Sequence, residues 1–198
     1  MTRIALLFTL LLTACMPDES QRTFGGPDGD MPGAADEPLD TARPEMPGQE
    51  AQADTSWTRD AVSVDRNVYS VLLDVRTASH DGFDRIVMSF GPSAVPGYRV
   101  EYVRPPVTQC GSGEEVDLPG TGFLSIRMRP AAAHSEEGHA TVSDRNRRFE
   151  LPVLIGLVAT CDFEADLTWV AALRTPNAFR VFELESPNRL VIDIRHRM

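Results

Sequence analysis

A two-sheet β-sandwich of about eight strands is the fold that residues 61–198 predict, and three observations lead to it. Short segments alternate apolar and polar residues with a period of two, as half-buried strands do. Clusters of glycine, proline, asparagine and aspartate punctuate the chain between those segments. No stretch carries a convincing apolar period near 3.6, so no helix is expected.

The strands are expected at 69–77, 85–90, 98–103, 123–129, 154–162, 167–173, 179–184 and 189–195. Asp81-Gly82 separates the first from the second, and Gly91-Pro92 ends the second. Pro96-Gly97 and Pro105-Pro106 bound the third. Gly111-Ser112-Gly113 and Pro119-Gly120 precede the fourth, where Leu124, Ile126 and Met128 share one face. The fifth is the most apolar and contains Gly156. In the sixth, Leu167, Trp169, Ala171 and Leu173 make a stripe that stops before Thr175-Pro176. Ser186-Pro187-Asn188 joins the last two, and Leu190, Ile192 and Ile194 face away from Asp193 and Arg195. The loops are uneven, which suits a sandwich better than a closed barrel. One stretch, 130–152, is long for a structureless loop; it is expected to carry function or to hide a short strand.

Composition changes near residue 60. Residues 16–60 hold six prolines, five glycines, eleven acids and three arginines, a net charge of −8. Phe24 and Trp57 are the only aromatic residues there. So little apolar surface cannot offset the entropy of ordering, so residues 15–60 are expected to be a disordered linker. A flexible coil of that length spans roughly 35–40 Å. Residues 61–198 carry only −3.

The chain opens Met1-Thr2-Arg3, runs apolar from Ile4 to Leu12 with one break at Thr9, and then reads Thr13-Ala14-Cys15. A basic start, a short apolar core and a small-residue exit make a secretory signal, expected at 1–14. The run is too short to span a bilayer, which takes about 20 apolar residues. Leu12-Thr13-Ala14-Cys15 resembles the lipobox of bacterial lipoproteins. That resemblance implies cleavage before Cys15, lipid on its thiol, and a location on the outer side of a bacterial membrane. Several acyl chains hold a protein stably where one does not. With Cys15 lipidated, Cys110 and Cys161 remain, and an even pair in an exported chain is expected to form a disulfide. Two separate buried thiols are the alternative.

The net charge of −10 argues against nucleic acid as a partner. His134 and His139 flank Glu136 and Glu137, but a five-residue step matches no zinc spacing, so no metal is expected. No Gly-x-Ser-x-Gly elbow, thiol-protease signature or phosphate loop is present, and no cofactor is implied. Glu114-Glu115 and Glu136-Glu137 are sequence neighbours that point apart rather than acid/base pairs. Nothing here demands an enzyme.

What remains is surface. Alternation places Arg85, Arg99, Arg127, Arg129, Arg189 and Arg195 opposite the apolar stripes. Arginine grips carboxylates and phosphates with a planar fork. Arg85, Arg99 and Arg127 are therefore the candidate anion-binding face, if several of these residues share a sheet. The alternative is ordinary ion pairing with Glu101, Asp74 and Asp193. Tyr98, Tyr102 and Trp169 lie on apolar stripes and are expected in the core.

Three segments resemble AMIN-like domains: Gly82-Phe83-Asp84-Arg85-Ile86-Val87-Met88-Ser89-Phe90, Tyr98-Arg99-Val100-Glu101-Tyr102-Val103, and the close from Phe179 to Ile194 with its Pro187-Asn188-Arg189-Leu190-Val191-Ile192-Asp193 ending. Leu167-Thr168-Trp169 fits a middle strand, and the likeness covers about 68–196. It implies a non-catalytic β-sandwich that localises envelope proteins by binding peptidoglycan. Cys110 and Cys161 are not part of that pattern, and no amidase or secretin domain is attached. The expected partner is therefore peptidoglycan or an envelope protein, with the membrane reached through the lipid. An assembly factor is the second reading. A hydrolase built on the 130–152 loop is the third.

Overall fold

The computed structural model describes residues 56–197, all within the compact unit Pro47–Met198. The expected signal peptide at 1–14, the lipidated Cys15 and the linker as far as residue 55 lie outside the described residues. The described residues form eleven strands and no helix. They are β1 (Val62–Val64), β2 (Ser70–His80), β3 (Phe83–Phe90), β4 (Gly97–Val103), β5 (Gly122–Arg129), β6 (Ala131–Ala132), β7 (Asn146–Arg148), β8 (Leu154–Phe163), β9 (Asp166–Leu173), β10 (Phe179–Leu184) and β11 (Arg189–Arg195). The eight expected strands are all present. β1, β6 and β7 are additional and have two or three residues each, too short to show a period of two.

Two sheets form the sandwich. One runs β1-β4-β5-β9-β8-β7 and the other β10-β11-β3-β2-β6. Period-two alternation turns one apolar set from every long strand into the space between them. Leu72, Ile86, Met88, Leu190, Ile192 and Ile194 come from the five-stranded sheet, and Leu124, Ile126, Met128, Leu157, Leu167 and Trp169 from the six-stranded one; all are fully buried. Tyr98 belongs to this core, and Tyr102 packs against it while donating its hydroxyl hydrogen to the carbonyl oxygen of Asn177. The Nε1 of Trp169 is buried with no acceptor.

A second, smaller core lies on the outer face of the six-stranded sheet. Val107, Phe123, Val158 and Val170 are buried there beneath the long β4–β5 loop, with Val116 and Leu118 packed against them. Cys110 on that loop and Cys161 on β8 form a disulfide, 51 residues apart in sequence. The expected pairing is thus made, and it pins the loop over the sheet. The backbone N–H of Cys110 also donates to Thr160.

The 130–152 stretch is a structural seam. Its start, β6, pairs parallel with β2 of one sheet, and its end, β7, pairs with β8 of the other. Thr141 between them and Arg147 on β7 donate side-chain hydrogen bonds to the carbonyl oxygens of Leu72 and Val75 on β2. An exposed strand edge is thereby blocked. Strand pairing also begins earlier than the expected boundary at residue 60. Thr58 and Phe179 exchange two backbone hydrogen bonds at 2.8 Å, which brings Trp57 onto the folded body.

Candidate functional site

The three candidate arginines do not form one face. β3 lies in the five-stranded sheet, and β4 and β5 in the six-stranded one, so the sandwich puts Arg85 on the opposite side from Arg99 and Arg127. Alternation cannot reveal this, because it assigns each side chain to the outside without saying which outside. Each of the three is also ion-paired: Arg85 to Asp193, Arg99 to Glu101, and Arg127 to Asp166.

On the five-stranded sheet a cross-strand row runs Arg180, Asp193, Arg85, in register on β10, β11 and β3. Asp193 has no solvent exposure. Arg85 donates to it from Nε at 2.6 Å and Nη2 at 2.9 Å. Arg180 approaches it from Nε at 2.9 Å and Nη2 at 2.8 Å. The bidentate pair raises the Arg85 pKa, with burial opposing. Among the described residues both guanidiniums keep Nη1 uncommitted, and their side chains are 26% and 25% exposed.

Aromatic rings surround the row. The Arg180 guanidinium lies 4.7 Å from the Trp57 ring centroid, 5.3 Å from Phe83 and 5.8 Å from Phe182. Arg85 lies 5.1 Å from Phe83 and 5.4 Å from Phe182. Arg195 is 5.8 Å from Trp57. Each is within the range of cation–π attraction. With Arg189 on the same face of β11 and the Arg76–Asp74 pair on β2, this face holds five arginines and two aspartates, +5 against −2. It is cationic on a chain that is acidic overall. A carboxylate under two guanidiniums fixes their planes before any ligand arrives, which removes an ordering cost from binding. The free Nη1 donors and the ring faces can then meet a ligand with anionic and apolar parts.

Arg180 and Trp57 were not among the sequence candidates. Arg180 was legible, since Phe179 and Val181 on either side of it point inward. Trp57 was not, because it sits beyond an acidic, proline-rich stretch with no periodic signal.

On the six-stranded sheet, Arg99 and Arg127 are cross-strand partners on β4 and β5. They line an open cleft of about 910 Å³ with Arg66, Arg129, Asp65, Glu164 and the strand backbone of Gly97 and Tyr98. Arg66 is held by Glu183, at 3.1 and 3.2 Å, and by the carbonyl oxygen of Val95 at 2.6 Å. Burial raises the Tyr98 pKa to about 12, helped by the Glu183 charge.

In the 130–152 seam, His134 Nδ1 lies 3.0 Å from Asp162, whose other oxygen meets Arg145 at 2.8 Å. Ala133 N–H also donates to Asp162. His139 stays exposed. Only one of the two loop histidines therefore reaches a carboxylate. That carboxylate joins the seam to β8. Among the described residues no group of three His, Cys, Asp or Glu side chains could hold a metal.

No curated protein and no solved structure matches the chain. The model of the AMIN-like domain matches residues 70–196, running from β2 past the end of β11. That match covers more than half of the chain and ten of the eleven strands of an all-β sandwich, so this protein belongs to the AMIN-like domain family.

Proposed function

We propose that this is a non-catalytic cell-envelope lipoprotein whose sandwich binds peptidoglycan through the outer face of the five-stranded sheet, while lipid on Cys15 holds the chain at a membrane. The observation that carries the binding face is the Arg180–Asp193–Arg85 row, locked from beneath and ringed by Trp57, Phe83 and Phe182. Wall peptides are rich in carboxylates and wall sugars present apolar ring faces. The free Nη1 donors and the aromatic rings suit those two chemistries. Membership of the AMIN-like family supports the same reading.

Co-sedimentation of the purified full chain with cell-wall sacculi tests it. Retention is expected, and Arg180→Ala together with Arg195→Glu should lower it about tenfold, the loss of roughly 1.4 kcal/mol. Thermal melting of the same variant checks that the fold survives. Unchanged retention by a folded variant would remove this face from the proposal.

One observation favours an envelope-protein partner as a second reading. Phe179 turns its backbone groups away from β11 to meet Thr58, so Val181 and Glu183 turn theirs the same way, beyond the end of that bridge. An edge of this kind accepts an added strand. Pull-down from solubilised envelope, compared with sacculus retention, separates the two readings.

A further inference from the structure

The cleft on the six-stranded sheet has a charge pattern of its own. Three of its four arginines are committed within the fold, each to one carboxylate: Arg66 to Glu183, Arg99 to Glu101, and Arg127 to Asp166. Arg129, Asp65 and Glu164 are not. All three are exposed, all line the cleft, and none makes an ion pair or a side-chain hydrogen bond among the described residues. The cleft therefore offers one open cation and two open anions over a rigid strand floor. A simple anion site would not carry the two acids. A site for a cation alone would not carry Arg129.

Spacing limits the ligand. Asp65 follows β1 and Arg129 ends β5, two strand positions away in the order β1-β4-β5. Two strand spacings make about 10 Å. An extended chain covers that distance in about three residues, at roughly 3.3–3.6 Å each. Glu164 sits on the β8–β9 turn, on the far side of Arg129 from Asp65. Glu164 and the next residue, Ala165, both have positive φ, 50° and 59°. This is a conformation that neither side chain favours. The turn thus holds an unpaired acid at the cleft at some cost in backbone energy, as functional turns do.

We infer that the cleft binds a short zwitterionic peptide of about three residues, its carboxylate on Arg129 and its ammonium on Asp65 or Glu164. This site is separate from the face on the other sheet. Its ligand chemistry has two sources, the peptide part of the cell wall and the free end of another polypeptide.

Calorimetric titration of the full chain with the free tripeptide Ala-Ala-Ala, its N-acetyl form and its C-amide form tests the inference. The free peptide should bind, and blocking either end should weaken it about tenfold, the size of a lost charge-assisted contact. In Arg129→Ala the acid and the amide should bind alike. In a double variant, Asp65→Asn with Glu164→Gln, the amine and its acetylated form should bind alike. All of these residues are exposed, so the variants should keep the wild-type melting temperature. Equal binding of all three peptides to the wild-type protein, or no heat at millimolar peptide, overturns the inference. Soluble fragments from digested sacculi form a parallel arm. Displacement of the tripeptide by those fragments assigns the site to the wall, and its absence alongside tripeptide binding assigns it to a polypeptide end. The Arg180→Ala, Arg195→Glu variant should bind the tripeptide as the wild-type protein does, which keeps this outcome distinct from that of the arginine and aromatic face.

Discussion

Two buried aspartates, Asp84 and Asp193, and the half-buried Asp162 show how single residues set this domain's properties. Asp84 points inward from β3 and is fully buried. Burial alone would raise its pKa, but the N–H groups of Val153 and Leu154 and the ring of His196 hold it below its ordinary value. Asp162 follows the same rule, with burial opposed by His134, Ala133 N–H and Arg145. A carboxyl whose folded pKa is lower than its unfolded one stabilises the fold above the unfolded value of 3.8 and ceases to as pH falls through the folded value. Stability should therefore drop below about pH 4. Urea midpoints at pH 6 and pH 3 measure it, and Asp84→Asn should flatten the difference. Asp193 behaves differently, since its two arginines are about a quarter exposed. Asp193→Ala should cost about 2–3 kcal/mol, less than the 3–5 of a wholly buried broken pair, because water can reach the freed guanidiniums. Chemical denaturation reads that value. The alternation made Asp193 look like a surface residue; its burial comes from the arginines and rings that cover it.

At the scale of elements, turns and short strands decide more than the long strands do. The long strands were legible because each repeats apolar residues at every second position. The β8–β9 hairpin turn was not, since Glu164-Ala165 contains none of the residues that usually signal a two-residue turn with positive φ. Ala165→Gly should relieve this strain and raise stability by about 0.5–1 kcal/mol, visible as a higher melting temperature. Gly97 sets the cleft floor by a different route. A Cβ there would meet the carbonyl oxygens of Arg66 and Arg129 at 2.7 Å each, both backbone atoms that cannot step aside. Gly97→Ala should shift β4 and lower the melting temperature by several degrees, on the order of 1–3 kcal/mol. The 130–152 stretch carried no readable period because its two strands hold two and three residues and join different sheets. Such strands exist only because the rest of the sandwich supplies their partners.

For the whole molecule, the disulfide sets an outer term of stability, and the proposed lipid would set its place. Cys110–Cys161 closes a 51-residue separation and holds a loop over the smaller core. Chain entropy assigns such a closure roughly 4 kcal/mol. Reduction, or Cys110→Ser with Cys161→Ser, should lower the denaturant midpoint accordingly. The proposed anchor makes its own prediction: labelled palmitate should enter the protein in a bacterial host, and Cys15→Ser should release it from membranes. Palmitate that fails to enter, with Cys15→Ser still membrane-bound, would reject the anchor.

Local periodicity and residue order were enough to read the all-β class, the eight long strands, the inward and outward side of each and the family, while the cysteine pairing was an expectation that the fold completed. Which outward arginines share a face depended on how the strands pair. The tertiary structure also brought Trp57 to Arg180 and left Arg129, Asp65 and Glu164 without partners among the described residues. The physical reason is that a sandwich has two outsides. Residue period fixes whether a side chain leaves the core, while long-range pairing, order β1-β4-β5-β9-β8-β7 against β10-β11-β3-β2-β6, fixes which side it leaves by and what it meets there.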